Sequence, residues 1–385
     1  MRMKILDALR FLVYNFIDIF ITRPEDATIN DVLIVRVDAI GDYILFRNFL
    51  QVIHDSGEYK DKKLVMVGNI AWKEIAIELD SGLIDEFIWV DRKRFSRNLI
   101  YRYKTLTNIS SKQYELVISP VHSRDMFYSD WIVKNVIANE KIGSAGDLST
   151  MTEKQKNTCD HWFTKLLPAK NGVMFEFYRN KEFFENLLNK KLNITKPYIK
   201  LNFQTSALRL PDNYAVIFIG ASSHTRKWPI ENFSSIAQIL TKKYSLKIVL
   251  CGGAGDIKDA EEFFRHFKGA GLNLVGKTSL VDLLYVIKNG RLMISNETSA
   301  PHLAVALDMA DIFVISNGNH YGRFTPYPNK IVGSYCVIYP PEIEGSLDDY
   351  KQLCDTYGYG SDLNIKGISV KALANNIDKR LGAGH

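Results

Sequence analysis

Apolar residues fall along this chain in two alternating rhythms. Short unbroken runs read as buried strands: Val32–Val35, Leu64–Val67, Leu116–Ser119, Val216–Ile219, Lys247–Leu250, Leu292–Ser295 and Ile312–Ile315. Between them, apolar positions recur at helical spacing in Tyr43–Ile53, Ile75–Leu79, Trp131–Ala138, Ile230–Lys243, Leu280–Ile287 and Leu303–Leu307. Continuous apolar strands alternating with amphipathic helices predict parallel sheets covered on both faces. The rhythm runs through two halves joined near Asn202 to Arg209. The expected fold class is therefore α/β, with a Rossmann-like domain over 31–205 and a second over 206–366. A tail, 367–385, holds a polar-faced helix from Ser369 to Leu381 that would pack back across the domains.

Residues 1–30 precede the first strand and form a separate element. Ile5, Leu9, Leu12, Phe16 and Ile19 recur at helical spacing, with Asp7, Arg10, Tyr14, Asn15 and Asp18 among them. Charge interrupts the stretch too often for a span of about 20 apolar residues. No small-residue cleavage site follows, which argues against a secretory signal. Two readings remain: an amphipathic helix lying on a membrane surface, or one packed on the protein body.

Composition narrows the class only a little. The chain has 385 residues, 46% hydrophobic and 24% charged, as an ordinary globular protein does. Cys159, Cys251, Cys336 and Cys354 are scattered, without the paired spacing of a zinc site or a disulfide framework, and point to a reducing compartment. The formal net charge of +6 suits anionic partners such as sugar nucleotides or phospholipid headgroups and does not call for nucleic acid.

Two strand-to-helix junctions carry the candidate chemistry. In Ser295-Asn296-Glu297-Thr298-Ser299-Ala300-Pro301-His302, small hydroxylated residues open a helix. Free backbone N–H groups and the helix dipole at such a junction favour a phosphate. Pro301 pre-sets helical φ at the first turn, and His302 would add a side-chain donor there, or else be a surface histidine. In Arg36-Val37-Asp38-Ala39-Ile40-Gly41-Asp42, Gly41 would allow a tight turn. Asp42 would fall at the N-cap or in the first turn of the next helix, where capping alone would explain it.

Together the two junctions resemble glycosyltransferase family 9, the heptosyltransferase family of lipopolysaccharide assembly. Its members carry an R-x-D-x-x-G-D element near the N-terminus and an N-D/E-T-G-x-x-H element in the C-terminal half. Three further segments resemble the family in order: Tyr214–Pro229, ending in Lys227-Trp228-Pro229; Lys247–Gly253; and Leu274–Leu280. The resemblance implies two Rossmann-like domains facing a cleft, the GT-B architecture. It also implies transfer of a sugar, with inversion, from a nucleoside diphosphate to a glycan acceptor. Ser299 stands where the family usually has glycine, and Glu297 where aspartate is often found.

What the resemblance implies for individual residues is specific. Asp42 is the expected general base. Lys227, Ser222, Ser223, Gly252, Glu297, Thr298, Ser299 and His302 are the expected donor-binding set, with Lys227 meeting the diphosphate. Asp38, His122 and Arg124 are the expected acceptor side. Asp38 would serve by buttressing its loop, and Arg36 would pair with a carboxylate. For Arg124 two readings stand, an anion ligand and a structural ion pair. His320 and Arg323, in the loop after Ile312–Ile315, would add polar contacts to the donor. The chain has no D-x-D element, so protein cations and helix N-termini would have to neutralise the departing diphosphate.

No cofactor or metal is expected, since the nucleotide sugar, ADP-linked by the resemblance, is itself a substrate. The partners would be that donor and a lipid-linked or oligosaccharide acceptor, without nucleic acid. The location would be cytoplasmic and peripheral on the inner face of the cytoplasmic membrane, which favours the membrane reading of the N-terminal helix. Two rivals stand beside ADP-heptose transfer to a lipopolysaccharide core: an O-antigen or capsule enzyme with another donor, and a catalytically silent nucleotide-sugar-binding protein. One match is a decoy. Gly271-Leu272-Asn273-Leu274-Val275-Gly276-Lys277-Thr278 fits the P-loop pattern letter for letter, but its middle residues read as a strand where a P-loop needs a flexible turn.

Overall fold

The computed structural model describes residues 2–22, 30–201 and 208–382. The chain forms two compact units. The first comprises residues 1–170 and 179–192, the second 171–178 and 193–385. The boundary thus precedes the one expected at 205/206, and most of the expected joint, 202–207, lies outside the described residues. The short segment 171–178 belongs to the second unit through local ties. The Glu176 N–H donates to the Arg323 carbonyl at 2.8 Å, and Phe175 packs on Tyr327 with ring centroids 4.7 Å apart.

The first unit holds six parallel strands: β1 (Asp31–Arg36), β2 (Lys63–Asn69), β3 (Glu86–Val90), β4 (Gln113–Ser119), β5 (Ile137–Ser144) and β6 (Lys165–Leu167). Their spatial order is β3-β2-β1-β4-β5-β6. The second unit repeats it with β7 (Tyr214–Phe218), β8 (Lys247–Cys251), β9 (Gly271–Asn273), β10 (Leu292–Asn296), β11 (Ile312–Ile315) and β12 (Tyr335–Ile338), ordered β12-β11-β10-β7-β8-β9. Both are doubly wound Rossmann sheets, each reversing direction between its first and fourth strands. Central strands are buried on both faces, which is why they read as unbroken apolar runs. Leu33, Val35, Val65, Val67 and Val117 centre one core, and Ile217, Ile248, Leu250, Ile294 and Phe313 the other.

Two local expectations are corrected. The helix expected to reach Ala138 spans Ser129–Asn135, and Ala138 belongs to β5, whose polar Asn139, Glu140 and Lys141 concealed a strand. Gly41 lies inside the helix Ile40–Phe46 rather than in the turn before it; Val37–Ala39 make the turn. The tail helix Val370–Leu381 packs on the second unit, burying Leu373 and Ile377 in that core and meeting the helix Ile230–Tyr244. The decoy resolves as expected. Gly271–Asn273 is strand β9, and Ser279 caps the helix Leu280–Asn289 by accepting from the Asp282 N–H.

Candidate functional site

In sheets of this order ligands bind beyond the carboxyl ends of the strands, where the order reverses. In the second unit that point lies between β7 and β10, where the loops 219–229 and 297–299 emerge. Asn296, the last residue of β10, fixes one loop against the other. Its amide donates to the Ile219 carbonyl at 2.8 Å, and its Oδ1 accepts from the Trp228 N–H at 3.0 Å. Thr298 is the N-cap of the helix Ser299–Ala306 and makes no side-chain cap hydrogen bond, and the N-terminal end of a helix suits an anion. Thr298 and Ser299 are half-buried there.

Arg226 is the cation of this crevice, and sequence reasoning passed over it. Its Nη2 donates to the Glu297 carbonyl at 2.7 Å and to Glu297 Oε1 at 3.0 Å, while Nη1 donates to Ser222 Oγ at 3.1 Å. Burial raises the Glu297 carboxyl above the ordinary range, and Arg226 and the donating Ser316 hydroxyl pull it back. Ser223 holds the loop itself, its Oγ accepting from the Thr225 N–H at 3.2 Å to cap the short helical turn His224–Arg226.

Lys227, expected to meet the diphosphate, is turned the other way. Its ammonium donates to Asp256 Oδ1 and to Asp259 Oδ2, both at 2.6 Å. Burial lowers its pKa, the two carboxylates raise it, and the net shift is upward. Two carboxylates around one ammonium leave no net positive field for an incoming phosphate. Asp256 also accepts from the Gly253 N–H at 3.0 Å and lies over Gly220, where a Cβ would come within 2.7 Å of its Oδ2. Gly252 sits beside the same carboxylate, its Cβ position 3.2 Å from that oxygen.

His302 is buried, 5% exposed, and is not the surface histidine that was the alternative. It is the fourth residue of its helix, with Nδ1 2.7 Å from the Tyr327 hydroxyl. Burial, and then the charge of Arg226, push its pKa down to about 3, so the ring is neutral at pH 7. His320 is likewise pushed down to about 4, first by burial, then by Arg323 and Arg226. Arg323 is buried and lies over the Tyr359 ring. Tyr327 follows a glycine- and aromatic-rich loop, and only its place on the histidine makes it a site residue.

In the first unit the reversal falls between β1 and β4, and both expected segments lie there. Arg36 ends β1 fully buried and pairs with Asp38, as expected, Nε to Oδ2 at 2.8 Å. It also donates to Asn180 Oδ1 at 2.6 Å and to the Pro120 carbonyl at 3.3 Å. The Asp38 carbonyl accepts from Asn69 at 2.8 Å and from the Trp72 indole at 3.2 Å. Asp38 thus buttresses the turn. Trp72 stacks on Tyr43, centroids 4.0 Å apart, and Asp80 holds both the Tyr43 hydroxyl and the Arg47 guanidinium. That packing fixes the helix Ile40–Phe46 and with it Asp42, half-buried in the first turn. Asp42 Oδ2 accepts from the Ala39 N–H at 3.2 Å, which realises the capping role.

His122 pairs with Asp147, Nε2 to Oδ2 at 3.5 Å, and Ser123 donates to the same oxygen at 3.2 Å. For Arg124 the structure bears out the ion-pair reading. The residue is 1% exposed, with Asp130 3.3 Å from Nε, the Ser144 carbonyl 3.1 Å from Nη1, and Asp160 against Nη2. A guanidinium enclosed by two carboxylates and a carbonyl is not offered to an acceptor anion, which corrects that expectation.

Twin doubly wound sheets with anion-suited loops at the reversal point are the architecture of a GT-B glycosyltransferase. A glycosyltransferase of family 9 from Veillonella parvula is similar over 94% of this chain and 100% of its own, with a TM-score of 0.70 and 16% identity. The heptosyltransferase WaaC of E. coli, solved with ADP, covers 91% of this chain and 99% of its own, with a TM-score of 0.64 and 18% identity. ADP-heptose lps heptosyltransferase II of E. coli covers 92% and 99%, with a TM-score of 0.60 and 12% identity. Residues 102–342 match the family model of glycosyltransferase family 9 (heptosyltransferase), and the chain belongs to that family. No curated protein sequence matches it.

Proposed function

We propose that this glycosyltransferase moves heptose from ADP-heptose, without a metal, onto a lipopolysaccharide core or related glycan acceptor at the inner face of the cytoplasmic membrane. The observation that carries the reading is the crevice between β7 and β10. There the uncapped N-terminus of the helix Ser299–Ala306, the Arg226 guanidinium and the neutral imidazole of His302 gather in one unit. Backbone N–H groups and a forked cation match a diphosphate. In this reading Tyr327 donates its hydroxyl proton to Nδ1 across their 2.7 Å contact, and the His302 ring carries its own proton on Nε2 as a hydrogen-bond donor. Arg226 takes the role first expected of Lys227, and Lys227 holds Asp256 and Asp259 away from the anion. An ADP-linked donor is supported by the similar WaaC of E. coli, which has been solved with ADP and with ADP-2-deoxy-2-fluoro heptose.

In the proposed reaction Asp42 takes the proton of the acceptor hydroxyl as that oxygen bonds to the anomeric carbon. The bond from that carbon to the diphosphate oxygen breaks on the opposite side, and ADP leaves with the electron pair. Configuration inverts. Charge developing on the diphosphate is met by groups already in place, which is where most catalytic stabilisation arises.

A thermal-shift comparison of ADP-, GDP-, UDP- and dTDP-linked sugars tests the donor, because a ligand that binds only the folded state raises its stability. The ADP-linked sugar is expected to give the largest shift. A larger shift from another base would move the enzyme to O-antigen or capsule chemistry, and no shift from any would point to another ligand altogether.

A further inference from the structure

The helix Arg2–Asp18 is anchored on one face and bare on the other. On the inner face Asp18, 8% exposed, accepts from the Trp131 indole at 3.0 Å, Lys134 at 2.6 Å and Asn135 at 3.0 Å. Tyr14, 3% exposed, donates to the Ser96 carbonyl at 2.9 Å and packs against Trp131 and Phe127. On the outer face, through the turn that follows, Leu6, Leu9, Leu12, Phe16, Ile19 and Phe20 are each between 56% and 75% exposed. At about 100° per residue Leu9, Leu12 and Phe16 lie opposite Tyr14 and Asp18, Leu6 flanks them, and Ile19 and Phe20 follow in the turn. A contiguous apolar stripe on a well-anchored helix is not left in water without a partner.

Charge beside the stripe identifies the partner. The helix Arg92–Arg97 is tied to the inner face through the Tyr14–Ser96 bond, and the next helix, Leu99–Ile109, meets the end of the stripe where the Tyr103 hydroxyl donates to the Phe20 carbonyl at 3.2 Å; Lys93, Arg94 and Arg97 on the first are exposed. Leu99 and Ile100 follow, 43% and 69% exposed, then exposed Lys104. From Arg92 to Gln113 the chain holds no Asp or Glu. Beside Leu12 the stripe borders a groove of about 570 Å³, its floor apolar in Phe11, Met126 and Phe127 and its rim polar in Asp7, Thr152 and Lys154. A second copy docked about a two-fold axis would set these cations against themselves. A surface with an apolar interior and anionic headgroups satisfies both the stripe and the cations.

We propose that this face docks the protein flat on an anionic lipid bilayer, with the outer stripe of the helix Arg2–Asp18 in the headgroup–acyl boundary and the Arg92–Lys104 cations on lipid phosphates. Among the described residues no helix is long and apolar enough to cross a membrane, so the contact is interfacial. The proposal does not rest on the donor chemistry.

Co-sedimentation of the full chain with vesicles tests it. Phosphatidylglycerol–phosphatidylcholine vesicles should pellet the protein at low salt, and phosphatidylcholine alone far less. Leu9→Asn with Phe16→Asn, both at exposed positions, should weaken pelleting at least tenfold. Replacing Lys93, Arg94 and Arg97 by Gln should weaken it by about 100-fold. Unchanged melting and unchanged donor thermal shifts in these variants would separate lost docking from lost folding or a wrong donor. Absence of binding to anionic vesicles, or variants that pellet like the wild type, overturns the proposal. So does a dimer in sedimentation velocity that Leu9→Asn with Phe16→Asn dissolves while vesicles bind nothing.

Discussion

Arg226 reaches across to Glu297 and binds it twice, once at the main-chain carbonyl and once at the carboxylate, at 2.7 and 3.0 Å. The guanidinium thereby joins the loop after β7 to the end of β10, and its other terminal nitrogen, Nη1, holds Ser222. A planar fork serves three acceptors at fixed angles, which an ammonium cannot imitate. Arg226→Lys should therefore weaken ADP binding nearly as much as Arg226→Ala, by about 10–100-fold, the value of one or two charge-assisted hydrogen bonds. Isothermal titration with ADP measures it, and affinities within twofold of wild type would remove Arg226 from the diphosphate.

Lys227 should behave differently from its neighbour. Its removal leaves Asp256 and Asp259 without the ammonium between them. Lys227→Ala is expected to lower the melting temperature by a few degrees, equivalent to about 1 kcal/mol for partly exposed pairs. ADP affinity should fall less than in Arg226→Ala. The reverse order in titration would restore Lys227 as the phosphate ligand.

His302 makes stability depend on acid. Its pKa is about 3 in the folded chain and about 6.5 when unfolded, so between these values the unfolded chain takes up a proton that the folded chain refuses. Stability contributed by the neutral ring is complete above pH 6.5 and falls by up to about 1.4 kcal/mol per pH unit below it. His320, pushed down to about 4, adds in the same direction. Asp130, raised by burial to about 7 against the pull of Arg124, acts oppositely. The difference between wild type and His302→Asn isolates the one residue. Denaturant unfolding at pH 7, 6 and 5 should show the variant losing less per unit than the parent, and parallel slopes would contradict a buried neutral ring.

Asp18 should carry the docking of the N-terminal helix. Asp18→Ala removes the acceptor of the Trp131 indole and one of two acceptors each of the Lys134 ammonium and the Asn135 amide, which keep Asn15 and the Trp131 carbonyl. A loss of about 2 kcal/mol in unfolding free energy is expected, with freed amides in Arg2–Asp18. Hydrogen exchange reads this directly: protection of that helix should drop while the strand cores keep theirs.

The doubly wound sheets were legible because their inner strands are buried on both faces and write themselves as apolar runs. The edge strands β3, β6 and β12 and the mixed strand β5 were not, since short or half-exposed strands lack that signature; the edge strand β9 showed only because the P-loop match drew attention to its apolar middle. The junctions at Asp42 and at Thr298 fell where motif and fold agreed. Side-chain direction was the part the letters concealed. Arg226 and Lys227 are adjacent cations, yet the turn ending at Arg226 and the extended backbone of Lys227 aim them at different carboxylates. Nothing local distinguishes them, because the partners lie 71 residues away for one and 29 and 32 for the other. Arg124 was undecidable for the same reason, its partners Asp130 and Asp160 coming from separate helices.

Turnover of Asp42→Asn tests the central claim most directly. Asparagine keeps an oxygen for the Ala39 N–H, so the helix start and the ADP dissociation constant should stay as in the wild type. Release of ADP from ADP-heptose in the presence of acceptor and a chelator should fall by about 10²–10⁴-fold, the share of a positioned base, while the wild-type rate is indifferent to the chelator. A variant that releases ADP at close to the parent rate, with unaltered binding, would contradict the account.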